Sequence, residues 1–381
     1  MIRSFVLLFY TIVFINVALG QNADSTIIKD KKFVKYLQFR LENGIILNNG
    51  IEESSELIKN SYYNGVDFRL GFRLTDPDDI YSNVYRRPIL GVGFYASTFN
   101  NMNIGKPSAV YFFITVPMAF ERNRKLTFSY SGAFGLSYNF TPYDSITNPS
   151  NLFIGSEHNC YFHFGLSMNY KLGSRFELSM ITGLKHFSNG SFKKPNKGLN
   201  LIPFTLGVRY KLNKEEIIQE KRPIPDYIPH DNWSFSAAVG SKHYDIDDPG
   251  NYLKMTYMVR YLRQINYMYR IGGGFDFFYS AGVKDRVSPE EDLAGKAFSC
   301  AVVGTFEWAI NENLYVPIGF GVYLKRNEVN EELIPYYERV GIRYKFNNNI
   351  FAGVTIKAHN GKADFFEWTI GYTLQNDKNR Y

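Results

Sequence analysis

His186 and Ser188 stand two residues apart in the segment KHFSNGSFKKPNKGLN, 185–200. A serine hydroxyl is a weak nucleophile until a neighbouring base takes its proton. Imidazole suits that transfer near neutral pH. On a β-strand, residues i and i+2 emerge on one face, so this spacing brings the two groups within reach of each other. The chemistry open to such a pair is acyl transfer. Ser188 attacks an ester carbonyl, and His186 takes its proton and returns it to the leaving alcohol.

The elements that position this pair are long alternating strands. In LTFSYSGAFGLSYNF, 126–140, Leu126, Phe128, Tyr130, Phe134, Leu136, Tyr138 and Phe140 share one face, while Thr127, Ser129, Ser131, Ser137 and Asn139 share the other. The segment 313–325 repeats the pattern with Leu314, Val316, Ile318, Phe320, Val322 and Leu324. Strands of soluble domains average ~5–6 residues. Strands about twice that length, with one wholly apolar face, predict a transmembrane antiparallel β-barrel, against a soluble sandwich or lipocalin-like barrel as the alternative.

Roughly eight such segments precede residue 212: 33–47, 64–75, 88–98, 109–121, 125–140, 157–172, 174–188 and 200–212. Roughly eight more follow residue 231: 232–244, 251–263, 266–280, 297–310, 313–325, 335–346, 349–359 and 364–375. Between them lies the charged, proline-bearing NKEEIIQEKRPIPDYIPHD, which has no alternation and reads as a linker. The fold class is therefore all-β, with two tandem eight-stranded barrels over 21–212 and 232–381 joined by 213–231. One sixteen-stranded barrel is the alternative. Short turns alternate with long loops, as barrel closure in a membrane requires. The segment 76–87 is long for a turn at the short end, and the alternation does not account for it.

Parity gives the site its direction. His186 and Ser188 share their face with Phe176, Leu178, Met180 and Leu184, whereas Glu177, Ser179 and Lys185 take the other. On the next strand Asn200 shares a face with Ile202, Phe204, Leu206 and Val208. The three polar residues thus sit on the lipid side, where polar groups are costly without a role. The substrate such a site suits is itself a membrane lipid. Taking 172–174 as a tight turn sets Lys171 opposite Arg175, His158 across from Ser188 and Cys160 across from His186.

The stretch 185–200 resembles the PagL-type lipid A deacylases, or acyloxyacyl hydrolase family, through His186, Ser188, Asn189, Gly190, Pro195 and Asn196. The resemblance covers about 33–212. It implies an eight-stranded outer-membrane barrel with a Ser-His-acid hydrolase site and lipid A, or lipopolysaccharide, as substrate. It makes Ser188 the nucleophile and His186 the base. A backbone N–H at Gly190 or Ser191, with Asn189 and Asn196, forms the oxyanion and substrate-binding set. Donors preset at a developing oxyanion lower the barrier by ~3–4 kcal/mol each. The family's acid, fourteen residues after the His, falls on Asn200. Asparagine can hold the ring's orientation but adds no charge. The alternative function is accordingly a non-catalytic barrel, structural or lipopolysaccharide-binding, that keeps a worn motif.

Composition bounds the rest. Hydrophobic residues make up 45% of 381, too few for a helical transporter, and the 17% aromatic share favours strands. Two cysteines, Cys160 and Cys300, lack zinc spacing, and six histidines rule out a metal store; no metal or cofactor is expected. Arg3, the apolar run Phe5–Val17 and Ala18-Leu19-Gly20 read as a signal peptide, 1–20, removed on export to a bacterial outer membrane. The net charge of +7 suits an anionic membrane surface. Export and the lack of a recognisable module argue against nucleic acid. The lysines Lys193, Lys194 and Lys197 are candidate phosphate partners on the same loop. The second half reads as a degenerate repeat, with Ala358 and Asn360 where His186 and Ser188 stand. The residues leave oligomeric state open.

Overall fold

The computed structural model describes residues 33–375 apart from 49–51, 60, 122–123, 215–220, 249, 289, 291 and 347. The expected signal peptide lies outside the described residues. Among the described residues sixteen strands form two closed antiparallel barrels. The first comprises β1 (Phe33–Ile46), β2 (Tyr63–Leu74), β3 (Ile89–Thr98), β4 (Gly105–Pro117), β5 (Leu126–Phe140), β6 (Asn159–Lys171), β7 (Phe176–Ser188) and β8 (Leu199–Lys211). The second comprises β9 (His230–Lys242), β10 (Tyr252–Gln264), β11 (Tyr269–Ser280), β12 (Phe298–Ala309), β13 (Leu314–Lys325), β14 (Tyr336–Lys345), β15 (Ile350–His359) and β16 (Lys362–Gln375). β8 closes on β1, and β9 pairs with β10 and β16. The single sixteen-stranded barrel is thereby excluded. Closure leaves neither sheet an open edge. Among the described residues no helix is long and apolar enough to cross a membrane.

The strands present an apolar face outward, while their inward faces carry polar side chains together with buried aromatics. On β7, Phe176, Leu178, Met180 and Leu184 are exposed, while Glu177, Ser179, Ile181 and Lys185 are buried in the lumen. The lumen of the first barrel holds paired charges. Arg69 bonds Asp67 and Tyr111, Arg209 bonds Glu177 at 2.6 Å, and Lys185 pairs with Glu42. Towards the end that carries the long loops, the lumen turns aromatic, with Tyr63, Tyr95, Tyr111, Phe140, Tyr161 and Phe187 packed together.

Two strand ends differ from the alternation. β4 starts four residues early, at Gly105, by pairing with Phe140 across a register shift, and it stops at Pro117. Met118 N still donates to Phe128 O at 2.8 Å; residues 119–121 then leave the ladder, and Glu121, on the inward parity of Tyr111 and Phe113, binds Arg73 at 3.1 Å and Lys171 at 3.3 Å. The segment 76–87 folds as a short helical turn, Ile80–Val84, capped by Asp79, whose Oδ1 accepts from Ser82 N at 2.7 Å. This turn faces the second barrel: Tyr85 Oη donates to Ala309 O, and Tyr81 meets Tyr267 edge-on at 6.2 Å.

Candidate active site

β7 ends at Ser188 and β8 begins at Leu199, so the loop 189–198 joins them at the long-loop end of the first barrel. The ladder sets His186 directly opposite Asn200. His186 Nδ1 and Asn200 Oδ1 lie 2.6 Å apart. The amide oxygen can only accept, so Nδ1 carries the hydrogen and Nε2 keeps a lone pair for a proton. Outward parity is shared by His186, Ser188 and Asn200. Behind them in the lumen, the Lys185–Glu42 pair ties β7 to β1.

Ser188 is only 4% exposed despite its outward parity, because its own loop folds over it. Its Oγ accepts from Gly190 N at 3.1 Å and from Asn196 Nδ2 at 2.9 Å. Asn196 Oδ1 accepts in turn from Asn189 N at 3.1 Å, which fixes the amide's orientation. Two donors therefore converge on the hydroxyl. Among the described residues His186 and Ser188 do not hydrogen-bond each other. Nucleophile and base often sit loosely without substrate and tighten in the reacting complex.

The structure thus gathers His186, Ser188, Gly190, Asn196 and Asn200. It turns the side chains of two further candidates elsewhere. The Asn189 side chain donates to Ser156 Oγ and Lys193 O, each at 2.8 Å, and so braces the loop. The Ser191 hydroxyl donates to Ala363 O of the second barrel at 2.7 Å. Among the three loop lysines, Lys194 is engaged by Glu331 at 3.1 Å, while Lys193 and Lys197 are exposed.

The expected facing of His158 with Ser188 is not observed. Cys160 opposes Ser188 and Phe162 opposes His186, two residues on from that register. The cause is the turn: Lys171 pairs with Glu177, not Arg175, because Leu172 N donates across the hairpin to Phe176 O at 2.9 Å and the chain reverses over 173–175. His158 precedes β6 and is exposed.

Two contributors escape the strand pattern. Phe162 places its ring 6.2 Å from the imidazole. Gly198, at φ +75°, leaves the space that His186 Cε1 fills, since a Cβ there would lie 2.6 Å from it. The glycine before β8 was the available signal. The loop 141–158 supplies a third brace, for a Cβ on Gly155 would meet Pro195 O at 2.5 Å.

In the second barrel the corresponding strand end is differently built. His359 Nε2 lies 2.8 Å from Tyr323 Oη. Glu367 is buried in a lumen network with Arg339, Thr256 and Thr355.

No curated protein sequence matches the chain. Solved structures with which it aligns include the outer membrane protein Omp33 of Acinetobacter baumannii (9% identity, 90% of this chain and 98% of that chain, TM-score 0.17). Another is the translocator domain of the autotransporter NalP from Neisseria meningitidis (10% identity, 94% and 91%, TM-score 0.18). Likeness at such scores carries no weight for activity. The family comparisons are specific to each barrel. Residues 231–376 match the model of the acyloxyacyl hydrolase C-terminal domain, so the second barrel has a family model of its own. Residues 67–209, which include the whole of the site, match the model of lipid A 3-O-deacylase (PagL), and in this part the chain is similar to that family.

Proposed function

We propose that the first barrel is an outer-membrane esterase that removes an ester-linked acyl chain from lipid A, with Ser188 as nucleophile and His186 as base. The observation that carries this is the His186–Asn200 bond beside a serine whose Oγ already lies between Gly190 N and Asn196 Nδ2. The family match over 67–209 supports the substrate class. The membrane reading rests on the outward faces. Leu41, Phe68, Phe164, Met180 and Leu206 of the first barrel are exposed, as are Phe275, Phe320, Trp368 and Ile370 of the second. An apolar belt of that extent is costly in water and is solvated by lipid.

The chemistry follows from the geometry. Nε2 of His186 takes the Ser188 proton as Oγ bonds to the ester carbonyl carbon. The carbonyl oxygen, now negative, replaces Ser188 Oγ as the acceptor for Gly190 N–H and Asn196 Nδ2–H. Collapse breaks the bond to the sugar oxygen, and His186 returns the proton to it. Water, deprotonated by His186, then adds to the acyl carbon; the bond to Ser188 Oγ breaks, the fatty acid leaves, and His186 returns the proton to Oγ. Asn200 keeps Nδ1 protonated throughout. With both chain ends of each barrel at the short-turn end, and that end periplasmic, the site meets the outer leaflet.

A second reading, a lipopolysaccharide-binding barrel without turnover, is favoured by one observation: the residue that orients His186 is neutral. Mass spectrometry of lipid A from cells making the intact protein or Ser188→Ala separates the two. The esterase reading expects a species lighter by one acyl chain with the intact protein alone. Identical lipid A in both, with both barrels folded, contradicts it.

A further inference from the structure

The backbone that aims Gly190 N–H at Ser188 is unusual. Gly190 and Ser191 both adopt the left-handed conformation, at φ +62° each. For a serine this costs ~1 kcal/mol or more and persists only where surroundings over-determine it. The surroundings of Ser191 belong to the other barrel. Ser191 O accepts from His243 N at 3.0 Å, and Ser191 Oγ donates to Ala363 O at 2.7 Å. Phe366 of β16 packs against Gly190 so closely that a Cβ there would lie 2.3 Å from its ring. Three residues after Ser191, Lys194 N donates to His243 Nδ1 at 3.3 Å, and Lys194 Nζ reaches Glu331, which also binds Lys242 at 2.8 Å. The Asn196 arm of the loop is held differently, by its own barrel: Lys197 N donates to Leu152 O at 3.3 Å and Gly198 N to Phe153 O at 3.0 Å.

Building on the esterase reading, we infer that the second barrel is a positioning element of the active site: through Ala363, Phe366 and the backbone of His243 it holds the strained Gly190–Ser191 turn, and with it one of the two oxyanion donors. The first barrel supplies nucleophile, base and the Asn196 donor; the second fixes the Gly190 donor. Phe366 and Ala363 touch no reacting atom, so their effect runs through the turn.

The test uses the full chain in detergent micelles, with Ser191→Ala, Phe366→Ala and Tyr85→Phe as variants. Tyr85 Oη joins the barrels at the opposite end, through Ala309 O, so its loss controls for general loosening. Amide hydrogen exchange over 188–192 is read first, because it does not depend on turnover. Faster exchange is expected in Ser191→Ala and Phe366→Ala and wild-type exchange in Tyr85→Phe. Wild-type exchange in all three overturns the inference, and so does faster exchange in all three. Steady-state deacylation of lipopolysaccharide is read second. Loss of a donor used mainly in the transition state lowers kcat with KM held; about fivefold to tenfold is expected in Ser191→Ala, the scale of one hydrogen bond. Unchanged kcat in both Ser191→Ala and Phe366→Ala overturns the inference. Failure of the esterase reading looks different: the intact protein and Ser188→Ala then share one background rate, whatever the exchange data say.

Discussion

Asn200 stands where the resemblance places an acid, and its contact with His186 defines what the substitution changes. The 2.6 Å bond secures the ring's orientation and tautomer. It adds no negative charge to stabilise the imidazolium that forms as Ser188 loses its proton. Asn200→Asp, nearly isosteric, should therefore raise kcat by about tenfold, the ~1.5 kcal/mol typical of a hydrogen bond to a charged group. Asn200→Leu removes the acceptor and should lower it by at least as much. Steady-state kinetics on lipopolysaccharide reads both, and equal rates for all three forms would show that the ring needs no orienting partner. This much of the site was legible in the sequence. Period-2 parity alone puts His186, Ser188 and Asn200 on one face, and adjacent strands leave Asn200 beside the ring. The convergence of Gly190 N and Asn196 Nδ2 on Ser188 was open only through resemblance, since loop geometry has no periodicity to read.

At the scale of the strand, the outward site depends on what the same strand does inward. Lys185, one residue before His186, is fully buried with Glu42, and its ammonium lies 3.6 Å from the Tyr95 ring centroid. Removing one member of a buried pair strands the other charge, at ~3–5 kcal/mol. Lys185→Ala should lower the urea midpoint for unfolding of the barrel, followed by heat-modifiable gel mobility. Lys185→Met combined with Glu42→Leu should restore it, because no orphan charge remains. A double variant as weak as the single one would mean that packing, not charge, holds β7 to β1. The strands themselves were legible because apolar and polar residues alternate without interruption over a dozen positions. Hairpin register was not: the β6–β7 chain reversal sits one residue later than expected, and the resulting two residues of slip keep parity while moving every partner. The end of β4 was hidden for a related reason. Residues 118–121 continue the alternation in sequence, yet the ladder ends just after Pro117, and Glu121 pairs with Arg73 in the lumen.

Across the whole molecule, two closed barrels meet at both ends. Tyr81 and Tyr85 contact Tyr267 and Ala309 at the short turns, and Ser191 and Lys194 contact Ala363, His243 and Glu331 at the long loops. The tandem arrangement could be counted from the strands and the break at 213–231. The meeting of the barrels could not, for no sequence pattern says which loop tip touches which strand end. The 76–87 segment, unexplained as a turn, is one half of that contact. The central claim for the molecule is that an outward-facing serine on the first barrel carries covalent chemistry. Reaction of the intact protein with a lipophilic fluorophosphonate, followed by peptide mass mapping, tests it most directly. The account predicts one adduct, on Ser188, absent in Ser188→Ala and formed much more slowly in His186→Ala. Full deacylation by a protein that carries no adduct at Ser188, or an adduct rate indifferent to His186, would contradict it.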